Sequence, residues 1–235
     1  MTFREYMAAL TNRRIGVIML LGFASGLPLA LTSGTLQAWM TVEGVDLKTI
    51  GTFSLVGLPY TWKFLWAPFM DRYVPPLLGR RRGWILLTQL GLIAAIAAMA
   101  VTDAKNALSS MALLALAVAF LSASQDIVYD AYSTDAVKPE ERGMSAAVKV
   151  LGYRIAMLVS GGGALVLASG GDFFGMALPQ GIGWQNTYFL MAGLMLIGVL
   201  ATLFAPEPLQ QVVPPRSLDE AVFAPLKEFF GRHGA

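Results

Sequence analysis

The chain has 235 residues, a formal net charge of +2, 56% hydrophobic residues and only 14% charged ones. A soluble domain carries about 25% charge, so this composition excludes a soluble globular protein and indicates an integral membrane one. No cysteine is present, and the single histidine, His233, stands in a polar tail. Disulfides and thiolate metal sites are therefore excluded, a metal centre is disfavoured, and no cofactor is expected.

Six apolar stretches, at roughly 15–39, 48–69, 84–102, 107–130, 146–169 and 185–205, are each long enough to cross a ~30 Å hydrocarbon core as a helix. Arg4, Arg13 and Arg14 precede the first, and Arg72, Arg80, Arg81 and Arg82 lie between the second and third. Lys138, Arg142 and Lys149 fall around the fourth connection, and Arg216, Lys227 and Arg232 follow the sixth span. The other connections hold only Lys48 and Lys105. This asymmetry predicts both termini on the cytoplasmic side. The basic balance thus reflects topology, and nucleic acid is not an expected partner. The first span is too long for a signal peptide and five more follow, so it is read as a retained helix.

The first predicted helix carries small residues every fourth position: Gly22, Gly26, Ala30, Gly34 and Ala38. Such a stripe predicts close approach of a neighbouring helix, and Pro28 predicts a kink. The second holds Lys63 between Trp62 and Trp66, which suit either interfacial anchoring or stacking on a sugar ring. The fourth is free of charge from Ala107 to Leu121 and then reads Gln125-Asp126-Ile127-Val128-Tyr129-Asp130. At 100° per residue, Ser122, Gln125, Asp126, Tyr129, Asp130 and Ser133 form one polar face that must look into the bundle or a water-filled cavity.

The fifth predicted helix contains Arg154 and the run Ser160-Gly161-Gly162-Gly163, which predicts packing or hinge flexibility because no phosphate-loop context surrounds it. The glycine- and aromatic-rich connection at 170–184 predicts an interfacial loop or short re-entrant turn. After the sixth span, Ser217-Leu218-Asp219-Glu220 forms a capping-box pattern ahead of an apolar face of Val222, Phe223, Leu226, Phe229 and Phe230. Residues 1–205 are accordingly expected to form an all-α, six-transmembrane-helix bundle. Residues 206–235 are expected to form a cytoplasmic amphipathic segment or a linker to further spans.

Ionised groups inside a bilayer are rare and usually mark substrate or proton pathways. Counted along their helices, Lys63, Asp126 and Arg154 fall at one level, and a shared network with Asp130 would relieve their burial. Asp126 is expected to titrate protons or orient substrate, with Gln125 as a hydrogen-bonding partner. Asp130 is expected nearer the interface.

Asp71-Arg72 followed by Gly79-Arg80-Arg81-Arg82 resembles the signature loop of the major facilitator superfamily, with Ala67 where glycine is usual and a longer loop over 73–78. The resemblance implies that Asp71, Arg72, Arg80, Arg81 and Arg82 form a conformational latch. Pro139-Glu140-Glu141-Arg142-Gly143 stands at the corresponding place between helices four and five. Within the superfamily, five segments resemble the AmpG-type muropeptide permeases. They are 21–31 (Leu-Gly-Phe-Ala-Ser-Gly-Leu-Pro-Leu-Ala-Leu), 36–40 (Leu-Gln-Ala-Trp-Met), 44–51, 55–72 and 125–132 (Gln-Asp-Ile-Val-Tyr-Asp-Ala-Tyr).

That resemblance implies the N-terminal half of a transporter with at least twelve spans. It further implies proton-coupled uptake of N-acetylglucosaminyl-1,6-anhydro-N-acetylmuramic acid, with or without its peptide, across the bacterial inner membrane for cell-wall recycling. The expected partners are this small-molecule substrate, protons, the lipid bilayer, and a second six-helix half or another copy of the chain. Asp126, Gln125, Asp130, Lys63 and Arg154 are the expected pathway residues. Transport of an acyl-CoA or a drug stays open as an alternative, as does a non-transporting half that serves as an assembly partner. No nucleophile–base pair or metal cluster suggests an enzyme.

Overall fold

The computed structural model describes residues 12–173, 175–206, 208 and 231. The expected amphipathic helix at 217–230, nearly all of the 206–235 segment, and His233 lie outside the described residues.

Among the described residues, five helices are long and apolar enough to cross a membrane: α1 (Arg13–Val42), α3 (Gly79–Val101), α4 (Leu108–Asp135), α5 (Pro139–Ser169) and α6 (Trp184–Leu203). The protein is a multi-pass, all-α membrane bundle. The expected second span, α2, runs over 47–72 but is segmented rather than continuous. Three short α-helical pieces, Leu47–Thr52, Leu58–Trp62 and Ala67–Arg72, alternate with 3-10 turns at Phe53–Gly57 and Lys63–Leu65. Pro59 and Pro68 each remove an N–H and clash with the preceding turn, and Gly57 weakens the helix further. Each proline opens a new piece, so the run advances in steps. Asp46 starts it: its carboxylate accepts from the Thr49 N–H at 2.9 Å and the Thr49 hydroxyl at 2.6 Å. These bonds hold the Asp46 carboxyl below its ordinary value of 3.8.

Where Pro28 predicts a kink, α1 continues helically through it and distorts one turn later. Leu31–Thr35 is π-helical, and Ser33 leaves the helical region at φ −107°, ψ −107°. The Ser33 hydroxyl back-bonds to the Leu29 carbonyl at 2.7 Å, the contact that bends helices. A second π segment, Val159–Gly163 in α5, lies beside the first. The two are tied by the Thr35 hydroxyl donating to the Ser160 carbonyl at 2.7 Å.

The 170–184 connection corrects the expected loop or re-entrant turn. It is an antiparallel hairpin, β1 (Gly171–Phe173) and β2 (Met176–Leu178), paired Gly171↔Leu178, Asp172↔Ala177 and Phe173↔Met176. Asp172 accepts the Gly175 N–H at 2.8 Å, and Gly175 has φ +80°, which a side-chain-bearing residue rarely adopts.

Lipid tails are as apolar as leucine, so helix association depends on close packing and interhelical hydrogen bonds. The tightest seam joins α1 to α5. A Cβ at Gly22 would stand 2.7 Å from the Lys149 carbonyl oxygen and one at Gly26 2.9 Å from the Tyr153 Cα, while one at Gly152 would run into the Met19 backbone. Gly34 departs from the predicted stripe: nothing lies within 4 Å of its Cβ position, because the π turn rotates it off the seam. Buried tyrosines add cross-links, Tyr129 donating to the Ile18 carbonyl at 2.6 Å and Tyr188 to that of Leu31 at 2.8 Å. Around these links α3 packs on α4 and α6, and α2 rides along α4.

Candidate functional site

Two polar constructions gather near the basic end of the bundle, the end that carries Arg13, Arg14, Arg80–Arg82 and Arg142. The first lies inside, where α1, α2, α4 and α5 meet. Asp130 on α4 pairs with Lys149 on α5 and stands 4.0 Å from Lys63 on α2. Lys149 also lies over the Tyr129 ring, 5.1 Å from its centroid. One turn deeper, Asp126 accepts a hydrogen bond from the Ser25 hydroxyl on α1, and the charges of Lys63 and Lys149 bear on it from a distance.

This arrangement differs from the expected network in two ways. Asp130, rather than Asp126, is the carboxylate that holds the two ammonium groups. Arg154 does not join the acids; its guanidinium stands 3.9 Å from the Met157 sulfur, one turn along its own helix. Helix geometry gives the reason. At 1.5 Å per residue Lys149 stands about 10 Å and Arg154 about 18 Å from Arg142, whereas Asp130 is only about 8 Å from Asp135. Lys149 and Asp130 therefore share a level, and Arg154 lies beyond it.

Beside Asp126 is a patch of neutral polar groups. The Gln125 side chain is 1% exposed and Ser122 fully buried. Neither amide atom of Gln125, nor the Ser122 hydroxyl, nor the Tyr60 hydroxyl has a hydrogen-bond partner among the described residues. Tyr60 faces Ser122 and Thr32, and feels the charge of Asp126. Buried polar groups are usually bonded, so this cluster is equipped to bond something small and polar. The remaining members of the predicted polar face are satisfied within the bundle: Tyr129 by Ile18, and Ser133 by the Asp130 carbonyl at 2.8 Å. Trp66 packs on Phe120 and donates to the Ser124 hydroxyl at 2.9 Å. Trp62 is half exposed and stacks on Phe64.

The second construction is at the helix ends. Arg81, at the start of α3, bridges Asp71 at the end of α2 (2.8 Å) and Asp135 at the end of α4 (3.2 Å). The Arg80 guanidinium donates to the Asp71 carbonyl at 3.1 Å. Arg82 donates to the Ala205 carbonyl beyond α6 at 2.8 Å, and Arg13 to that of Phe204 at 2.7 Å. Arg72 sits in the last turn of the α2 run. One guanidinium between two carboxylates locks three helix ends with charge-assisted bonds.

Sequence reasoning missed three members of these sites. In the sequence Lys149 reads only as a positive-inside base. Ser25 reads as one more small residue in α1. Asp135 falls nine residues after Asp126, roughly 180° round the helix, so a search along one polar face passes it by; the signal was an aspartate at the same end as the arginine cluster.

A bundle of apolar helices with a charged interior junction and a bridged loop between α2 and α3 is the architecture of a transporter half. The major facilitator superfamily pattern matches residues 18–234, and the chain belongs to that superfamily. It is 56% identical over 231 residues to the anhydromuropeptide permease of Escherichia coli (strain K12), covering 98% of this chain and 45% of that protein. An uncharacterized protein of Haemophilus influenzae is 39% identical over 227 residues (95% and 50%), and the putative transporter AmpG 4 of Rickettsia felis 33% over 233 (94% and 53%). The chain thus spans about half the length of the curated relatives it matches, and the AmpG-type resemblance extends over nearly all of it.

Proposed function

We infer that this chain forms one half of a proton-coupled importer of anhydromuropeptides in the bacterial inner membrane, with both termini cytoplasmic and a second six-helix half completing the cavity. The observation that carries the reading is the unequal environment of two carboxylates on α4, in a chain 56% identical to an anhydromuropeptide permease. Asp130 faces two ammonium groups and serves as their counter-ion. Asp126 has a neutral hydroxyl as its hydrogen-bond partner, which leaves it the carboxylate available to exchange a proton as substrate enters or leaves. Gln125, Ser122 and Tyr60 supply neutral donors and acceptors of the kind that N-acetyl and hydroxyl groups of a sugar engage. Lys63 and Arg154 complete the pathway. Asp71, Arg72 and Arg80–Arg82 act as the latch that holds one of the alternating conformations.

Replacing Asp126 separates coupling from binding. In vesicles carrying the chain joined to a second half, Asp126→Asn is expected to abolish accumulation driven by a pH gradient. Exchange of labelled for unlabelled substrate at equal pH is expected to persist. Gradient-driven accumulation that survives the substitution contradicts the coupling role.

A further inference from the structure

The geometry points to Arg154 as the anchor for a carboxylate of the transported molecule. This rests on the transporter reading and assigns within it a specificity that the acids of α4 do not supply. The cations of the interior differ in how they are matched. Lys149 is paired with Asp130, and Lys63 faces the same carboxylate. Among the described residues, the hydrogen-bond partner of Arg154 is the Met157 thioether, a weak acceptor, at 3.9 Å. It is exposed, yet its place on the helix puts it about 18 Å from Arg142, well inside the hydrocarbon zone. An ionised guanidinium at that depth without an anion is costly and in membrane proteins marks a pathway.

The side chain opens onto a cavity of about 360 Å³ lined by Leu29, Lys149, Val150, Tyr153, Arg154 and Met157. That volume is in the range of small-ligand sites. Its walls are mostly apolar, which strengthens any ion pair formed there. Lys149 is already paired with Asp130, which leaves Arg154 as the cation of this cavity with no carboxylate partner among the described residues. Tyr153, which lines this cavity, lies within electrostatic range of both Asp126 and Arg154. A planar guanidinium fork fits a carboxylate bidentately. The ligand this combination selects is a sugar-sized molecule bearing one carboxylate next to neutral polar groups. Muramic acid derivatives without a peptide have that character through their free lactyl acid.

Binding to the chain joined to a second six-helix half, in lipid nanodiscs, tests the assignment, with N-acetylmuramic acid and its neutral methyl ester as probes. The wild-type chain is expected to bind the acid at least about tenfold tighter than the ester. Arg154→Gln is expected to bring the two affinities together without changing that for the ester, and Arg154→Lys to keep part of the preference. Equal affinity in the wild type overturns the proposal, as does a preference that survives Arg154→Gln. Equal loss of both ligands, or of folded protein in both variants, overturns it too and marks Arg154 as a structural ion-pair partner for another bundle half. Uptake by the wild type joined to a second half is measured in parallel. Uptake without any carboxylate preference leaves the transporter reading standing and removes only the carboxylate site.

Discussion

Asp130 and Lys149 illustrate how context sets the worth of an ion pair. Asp130 is about half exposed and Lys149 26% exposed, and pairs open to water contribute only about 0–1 kcal/mol. Within a bilayer the comparison is different, because an unpaired charge costs roughly 2.5–3.5 kcal/mol at the centre of the membrane. The pair is thus needed less for its own attraction than to avoid a stranded ammonium. Asp130→Asn is therefore expected to lower the thermal stability of the chain in lipid more than Lys149→Met combined with Asp130→Asn, and a double-mutant cycle measures the difference. Additive losses would show that Lys149 has another counter-ion. The α1–α5 seam gives a second residue-level contrast. Gly26→Ala forces a Cβ against the Tyr153 backbone and is expected to destabilise by about 1–3 kcal/mol. Gly34→Ala, with open space around it, is expected to stay within about 0.5 kcal/mol. Thermal unfolding of the two variants in detergent checks both values. Four-residue spacing made the stripe visible in the sequence; the π turn that removes Gly34 from it depends on the Ser33 backbone, which no periodicity displays.

The helices themselves were largely legible as elements, because α1, α3, α4, α5 and α6 are long apolar runs whose hydropathy alone sets them in the membrane. The stepped course of α2 was not. From 49 to 69 its sequence holds a single charge, Lys63, and reads as one span, yet each proline opens a new helical piece instead of ending the run. The consequence is positional: the 3-10 turn at Lys63–Leu65 carries Lys63 to within 4.0 Å of Asp130. The Arg81 bridge between Asp71 and Asp135 shows the same division. Asp71 and the arginines stood out as a motif, whereas Asp135 required knowing which helix ends adjoin. Arg81 serves two carboxylates at once, a geometry suited to its planar fork and not to an ammonium. Arg81→Lys is expected to loosen the α2–α3–α4 ends nearly as much as Arg81→Ala, read as faster hydrogen exchange of 67–72 and 131–135. Protection equal to wild type in the lysine variant would mean that charge alone suffices.

As a whole the molecule buries most of α1 and leaves broad apolar faces on α2, α4 and α5 exposed, among them Leu55, Leu65, Leu113, Val150 and Leu158. These exposed apolar faces offer the proposed second half a surface to pack on. The most direct test is uptake of labelled N-acetylglucosaminyl-1,6-anhydro-N-acetylmuramic acid by right-side-out vesicles. The vesicles come from cells without another muropeptide permease and carry this chain joined to a second six-helix half. Accumulation under an inward proton gradient, abolished by a protonophore, is the predicted result. Accumulation no greater than in vesicles lacking the chain would contradict the account.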